Sequence, residues 1–178
     1  MTPPTFVTGP QRSGTTIAAR IIAETHNKAY VDELDFNPKQ DLSNTVIQMP
    51  NALDSYLTLF YMFPGCQFIG LIRDKADIIK SMKRINWLRD DVKNWERFLN
   101  SYVIHRYELW DQLKKKLPKT SWQELHYNDL QAHPLFVPKE FRTDFSVRQW
   151  QPSKPCGFKT WSNNYQCTLD IINGRKYS

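Results

Sequence analysis

Gly9-Pro10-Gln11-Arg12-Ser13-Gly14-Thr15-Thr16 brings two glycines, one cation and three hydroxyl side chains into eight consecutive residues. A stretch of that composition can hold an anion. Glycine lets the backbone approach a phosphate or sulfate oxygen, free amide N–H groups donate to it, and a guanidinium neutralises it. The pattern approaches the nucleotide-triphosphate signature GxxxxGK[ST], but Thr15 stands where that signature has lysine. Positive charge enters from Arg12 instead, inside the loop, which disfavours an ordinary ATPase or GTPase. The plain alternative is a glycine turn that joins a strand to a helix and binds nothing.

An anion loop needs a strand before it and a helix after it. Thr5-Phe6-Val7-Thr8 has the β-branched and aromatic character of a strand, and Ile17 to Glu24 suits a helix that Thr15 or Thr16 begins. Ala29-Tyr30-Val31 reads as a second short strand closing on Asp32-Glu33-Leu34-Asp35, and residues 36 to 46 read as loop. Apolar residues from Asn51 to Phe63 fall mostly at helical spacing, stopped by Pro64-Gly65. Cys66 to Ile72 reads as a buried strand, followed by Arg73-Asp74 and a helix from about Ala76 to Arg84. Val92, Trp95, Leu99, Tyr102, Val103, Leu109, Trp110, Leu113 and Leu117 mark one face of a long amphipathic helix, and its aromatics read as core. Ser121 to Tyr127 reads as a last strand, ending at Asn128-Asp129-Leu130. Strands alternating with helices predict an α/β fold with a parallel sheet. The segment 138–178 reads as irregular, with a short helix from Leu169 to Ile172.

The composition sets bounds. With 178 residues, 40% hydrophobic and 24% charged, the chain suits a single globular domain. Its net charge of +6 fits an anionic small ligand, an acidic substrate or nucleic acid, or only a solvated basic surface. Cys66, Cys156 and Cys167 are odd in number and widely spaced, so neither a disulfide framework nor a zinc cluster is suggested, and a reducing cytoplasm is the simplest setting. No apolar run approaches the roughly 20 residues of a membrane span, and no signal-peptide core precedes the loop. His26, His105, His126 and His133 lack metal-ligand spacing, and no metal is expected.

Four segments in order give the chain a resemblance to the sulfotransferase family. The loop from Gly9 to Thr16 looks like that family's 5′-phosphosulfate loop, and its Arg12 is similar to the tyrosylprotein and bacterial type. Phe63 to Asp74, with Ser81 eight positions after Arg73, resembles the segment whose arginine and serine bind a 3′-phosphate. Tyr127-Asn128-Asp129-Leu130 with Pro134 resembles a segment whose tyrosine lies by an adenine, and Val31-Asp32-Glu33 falls where many members carry an acidic residue facing the acceptor.

The resemblance spans roughly residues 5 to 134 and implies a P-loop three-layer fold, a central parallel sheet flanked by helices. It implies 3′-phosphoadenosine 5′-phosphosulfate (PAPS) as donor, adenosine 3′,5′-bisphosphate as product, and a hydroxyl or amine of a small molecule, sugar or peptide as acceptor. Gln11, Arg12, Ser13, Gly14, Thr15, Thr16, Arg73, Ser81 and Tyr127 are then the expected donor-binding residues. Arg12 and Glu33 are the expected catalytic ones, with Asp32 and Asp35 as alternatives to Glu33, or a solvated turn with no role.

The donor has phosphates on two sides of its ribose, so two anion sites are expected, one at Arg12 and the loop amides, the other at Arg73 and Ser81. The plain reading of Arg73-Asp74 is a local ion pair at a helix start. Gln48 takes the place of the lysine that family members carry shortly before a proline. Lys154, Gly157, Lys159 and Trp161 are loosely similar to the family's basic C-terminal segment. Two further readings compete: a non-catalytic nucleotide-binding module of the same fold, and a small-molecule kinase with an unusual loop. No nucleic-acid-binding module is recognisable.

Overall fold

Thr5–Thr8 (β1) is buried at all four residues, as a central parallel strand covered on both faces requires. It is one strand of the computed structural model, in which residues 2–136 are described. Its partners are β2 (Ala29–Asp32), β3 (Thr45–Gln48), β4 (Gln67–Ile72) and β5 (Trp122–His126). All pairings are parallel and the sheet order is β2-β3-β1-β4-β5. The helices are α1 (Thr15–Thr25), α2 (Tyr56–Met62), α3 (Lys75–Arg84), α4 (Trp95–Lys116) and α5 (Tyr127–Gln131). This is the expected α/β architecture of a parallel sheet flanked by helices.

The chain divides into two compact units, Met1–Trp87 with Asn94–Phe136, and Leu88–Lys93 with Val137–Ser178. Of the second unit only the turn 88–93 is described. The expected irregular segment, its final helix, and Lys154, Gly157, Lys159 and Trp161 lie outside the described residues.

Three expectations are corrected. The loop read over 36–46 ends in a strand, because Thr45, Val46, Ile47 and Gln48 are all buried between β1 and β2. Four residues after a polar stretch are too few to show a strand period. The helix read over 51–63 is a 3₁₀ turn at Pro50–Asp54 followed by α2, with Ser55 between them at ψ 23°. Tyr127 is the first residue of α5 instead of the last of a strand.

Among the described residues, two apolar clusters hold the main unit together. Phe6, Phe36, Phe63 and Phe68 stack and tilt at centroid separations of 5.5 to 6.4 Å, above Ile47, Leu53 and Leu59. Ile78 and Met82 of α3 pack on Leu99 and Val103 of α4. The long helix also reaches the sheet directly, where the Trp110 indole lies on Gly70 of β4. A Cβ at Gly70 would come 2.4 Å from that ring, so only glycine leaves the necessary space. Among the described residues, no helix is long and apolar enough to cross a membrane.

The topology decides where a ligand can bind. After β1 the chain crosses toward β2, whereas after β4 it crosses toward β5. The carboxyl ends of the neighbours β1 and β4 therefore flank a switch point, the crevice such sheets use for ligands.

Candidate active site

Each of the five strands delivers one expected residue at its carboxyl end. In sheet order these are Glu33 after β2, Gln48 ending β3, the loop 9–14 after β1, Arg73 after β4 and Tyr127 after β5. Strands lie about 4.8 Å apart. Parallel pairing thus sets five segments, distant in sequence, along one edge.

The loop is shaped by backbone conformations that ordinary residues avoid. Gly9 has φ 145°, Arg12 φ 68° and Gly14 φ 106°. Gly14 precedes the first residue of α1, whose leading amides are open to an anion. A side chain at Gly14 would meet Tyr127, since its Cβ would fall 2.7 Å from Cε2 of that ring. Arg12, a non-glycine residue in the left-handed region, carries strain of a kind that collects at ligand sites. Thr15 is buried and Thr16 exposed at the start of α1. Ser13 is fully buried, and its Oγ has no hydrogen-bond partner.

Arg12 and Arg73 meet at the switch point. Arg73 Nη1 donates to the Arg12 carbonyl at 3.1 Å, while Arg12 Nε reaches Ser81 Oγ at 3.5 Å. The two expected anion sites are therefore joined, with Arg12 touching the serine assigned to the second. Tyr107 of α4 clamps the Arg73 peptide, accepting from its N–H at 3.1 Å and donating to its carbonyl at 2.7 Å. Asp74 makes no ion pair with Arg73; its Oδ1 caps α3 by accepting from Asp77 N at 3.0 Å. The Arg73 guanidinium lies instead over the Tyr127 ring, 4.0 Å from its centroid. That covers one face of a ring expected to lie by a base.

Among the described residues, positive charge gathers here without a paired carboxylate. The Arg12 guanidinium is pushed below its ordinary value by burial first, then by repulsion from Arg84 and Arg73, with Tyr127 acting the other way. Among the described residues no carboxylate forms an ion pair with Arg12, Arg73 or Arg84. Arg73 Nε and Ser13 Oγ are buried and unpaired. Buried donors without acceptors, beside unneutralised cations, suit a polyanion.

The opposite end of the edge is acidic. Burial, then the neighbouring Asp32 charge, raises the Glu33 carboxyl to about 7, against a hydrogen bond from the Gln11 side chain and the Arg106 cation. The alternatives to Glu33 are placed differently. Asp32 is occupied by its turn, Oδ2 accepting from Tyr30 Oη at 3.1 Å and Oδ1 from Leu34 N at 3.3 Å. Asp35 is exposed. Gln48, 5% exposed, donates from Nε2 to Thr15 Oγ1 at 3.2 Å. It ties β3 to the start of α1 where the family resemblance would place a cation.

A sulfotransferase-family model matches residues 26–137, more than half of the chain. The chain belongs to the sulfotransferase family. The sulfotransferase domain from the curacin biosynthetic pathway superposes with a TM-score of 0.59 over 75% of this chain and 70% of its own, at 13% identity. It shares the fold. A mouse sulfotransferase, SULT7A1 complexed with PAP, covers 98% of this chain and 59% of its own, at TM-score 0.47 and 11% identity. A gluconokinase from Sinorhizobium meliloti 1021 gives 0.46 at 14% identity, over 69% of this chain and 81% of its own. No curated protein sequence gives a significant match.

Sequence reasoning missed Tyr102, Arg106, Tyr107 and Arg84. The first three lie behind the loops on α4, and one signal for them was present. Arg106 sits four residues from both Tyr102 and Trp110, on the face read as apolar, where a charge demands a partner. Arg84 follows Ser81 by three residues, which sets both on one side of α3.

Proposed function

We propose that this sulfotransferase-family chain moves a sulfuryl group from PAPS to a hydroxyl or amine of a small molecule, sugar or peptide. The observation that carries the reading is the unneutralised set of Arg12, Arg73 and Arg84 around a strained glycine loop, with buried unpaired donors on Ser13 and Arg73. A donor with a 3′-phosphate and a 5′-phosphosulfate carries enough negative charge to satisfy that set. Ser81 and Arg73 would hold the 3′-phosphate. The loop amides, Ser13, Thr15 and Thr16 would hold the phosphosulfate, with Gln11 on its acceptor side. The donor supplies an activated sulfur–oxygen bond to phosphate.

The residues of the chain then have two tasks. Glu33, with its carboxyl near 7, takes the proton from the acceptor oxygen or nitrogen. The new bond to sulfur forms as the bond to the phosphate oxygen breaks, and Arg12 neutralises the charge left on that phosphate. Gln48 adds no charge, so the cationic work falls to the arginines.

Calorimetric titration tests donor choice. Adenosine 3′,5′-bisphosphate should bind at least tenfold more tightly than ATP; equal or better ATP binding would refute PAPS as donor. A second reading, a donor-binding module without turnover, is favoured by one contact, the Gln48 to Thr15 hydrogen bond in place of a lysine. Transfer of labelled sulfate from PAPS to any member of a broad acceptor panel would eliminate it.

A further inference from the structure

Arg106 is a charged residue on the inner face of α4, with 4% of its surface exposed. Burying a guanidinium is costly unless its fork is filled. Here Nη1 pairs with Asp54 Oδ2 at 2.5 Å and Nη2 donates to Asn51 Oδ1 at 2.8 Å, both acceptors in the 3₁₀ turn after β3. The guanidinium also lies 5.3 Å from the centre of the Tyr102 ring, one helical turn earlier, while its Nε is buried without a hydrogen-bond partner among the described residues. Tyr102 Oη in turn accepts the backbone N–H of Gln11 at 3.1 Å, across 91 residues of sequence. Trp87, 4.9 Å away between centroids, packs beside the same ring.

We propose that Tyr102 and Arg106 are positioning residues for the anion loop, a relay by which the 3₁₀ turn after β3 sets the conformation of the loop after β1. A phenol oxygen has two lone pairs. One takes the Gln11 amide, which makes the hydroxyl an acceptor, and the Arg106 cation beside the ring, itself anchored on Asp54 and Asn51, holds the phenol in place. Fixing the Gln11 amide restrains the residue before Arg12, whose left-handed φ of 68° needs a surrounding structure that determines it. It also consumes one loop amide, so the anion is left to the amides that follow. The Gln11 side chain and the Arg106 charge both act to lower the Glu33 carboxyl, against burial and Asp32, so the same residues bear on the proposed base.

The proposal rests on the sulfotransferase reading for its effect on catalysis, but its structural core can be tested without turnover. In the full-length protein the Gln11 amide should show slowed hydrogen exchange, lost in Tyr102→Phe, which keeps the ring and its packing. Tyr102→Phe should weaken adenosine 3′,5′-bisphosphate about tenfold, the effect of one lost hydrogen bond in a preorganised site. It should leave the pH midpoint of transfer in place. Arg106→Lys keeps the charge but lacks the planar fork that spans Asp54 and Asn51; it should weaken binding by a similar factor and move the midpoint, which a merely structural residue would not do.

A Gln11 amide that exchanges as fast in the wild type as an unstructured amide would overturn the relay even if a variant fails to fold. Unchanged bisphosphate affinity in both folded variants would also overturn it. Failure of the wild type to bind the bisphosphate at all would instead refute the donor reading, and the relay would stand or fall on the exchange of Gln11.

Discussion

On the β1–β4–β5 side of the sheet edge, cations are assembled with no carboxylate paired to them among the described residues. Arg84 and Arg73 repel Arg12, two buried donors are unpaired among the described residues, and the loop holds positive φ at Gly9, Arg12 and Gly14. On the β2–β3 side, charge is restrained. Asp32 is bound by its own turn, Glu33 is driven toward neutrality, and Gln48 is neutral and paired. The first arrangement is made by backbone conformation and leaves energy to be recovered when an anion arrives. The second is made by burial and tunes a single proton. Two loop ends one or two strands apart can thus be specialised for binding and for proton transfer by different physics.

Five measurements break or sharpen that contrast. Glu33→Gln should lower the transfer rate by roughly 10²- to 10⁴-fold, the range for loss of a general base, while bisphosphate affinity changes little. In the wild type the rate should rise with pH, with a midpoint near 7, because the carboxylate is the active form. Gly14→Ala should do the reverse, weakening bisphosphate about 100-fold in calorimetry, since a Cβ there meets a ring atom at 2.7 Å in a backbone conformation alanine resists. Equal damage to both functions by either variant would collapse the division.

A fourth effect concerns stability. The Glu33 carboxyl is raised from 4.5 to about 7, so the folded chain holds its proton where the unfolded chain has lost it. That contribution is full below the unfolded value and is lost as pH rises through 7. Glu33→Gln should therefore stabilise the fold at pH 8 by about 1–3 kcal/mol in denaturant titration, with the gain vanishing near pH 4. The smallest effect belongs to Gln48→Met, which keeps volume but removes the donor to Thr15. A loss of about 1 kcal/mol is expected, read from the same denaturant midpoint.

Some of this was legible from residues alone. Gly9 to Thr16, Arg73, Ser81 and Tyr127 are local patterns, and the strands that carry the loop and Arg73 show β-branched and aromatic runs. β3 was hidden because four buried residues follow a long polar stretch, and burial by neighbouring strands is a tertiary fact. The joining of the two anion sites was hidden for a similar reason. The reach of the Arg12 side chain to Ser81 depends on a left-handed backbone at Arg12, which spacing does not encode. Residue type hardly separates the three acidic candidates; surroundings do, because Asp32 is held by its own turn and Asp35 is exposed, whereas the Glu33 carboxyl is raised.

The contact of Trp110 with Gly70 has a consequence far from either residue. A helix can slide along its axis unless something indexes it, and each residue of slip is about 1.5 Å of travel and 100° of rotation. An indole seated on bare backbone blocks that slip. Tyr102 and Arg106 lie eight and four residues before Trp110, on the same line down α4. Their distances to Gln11 and Asp54 are thereby gauged from a glycine in β4, and a methyl group added at Gly70 would detune the anion loop without touching it.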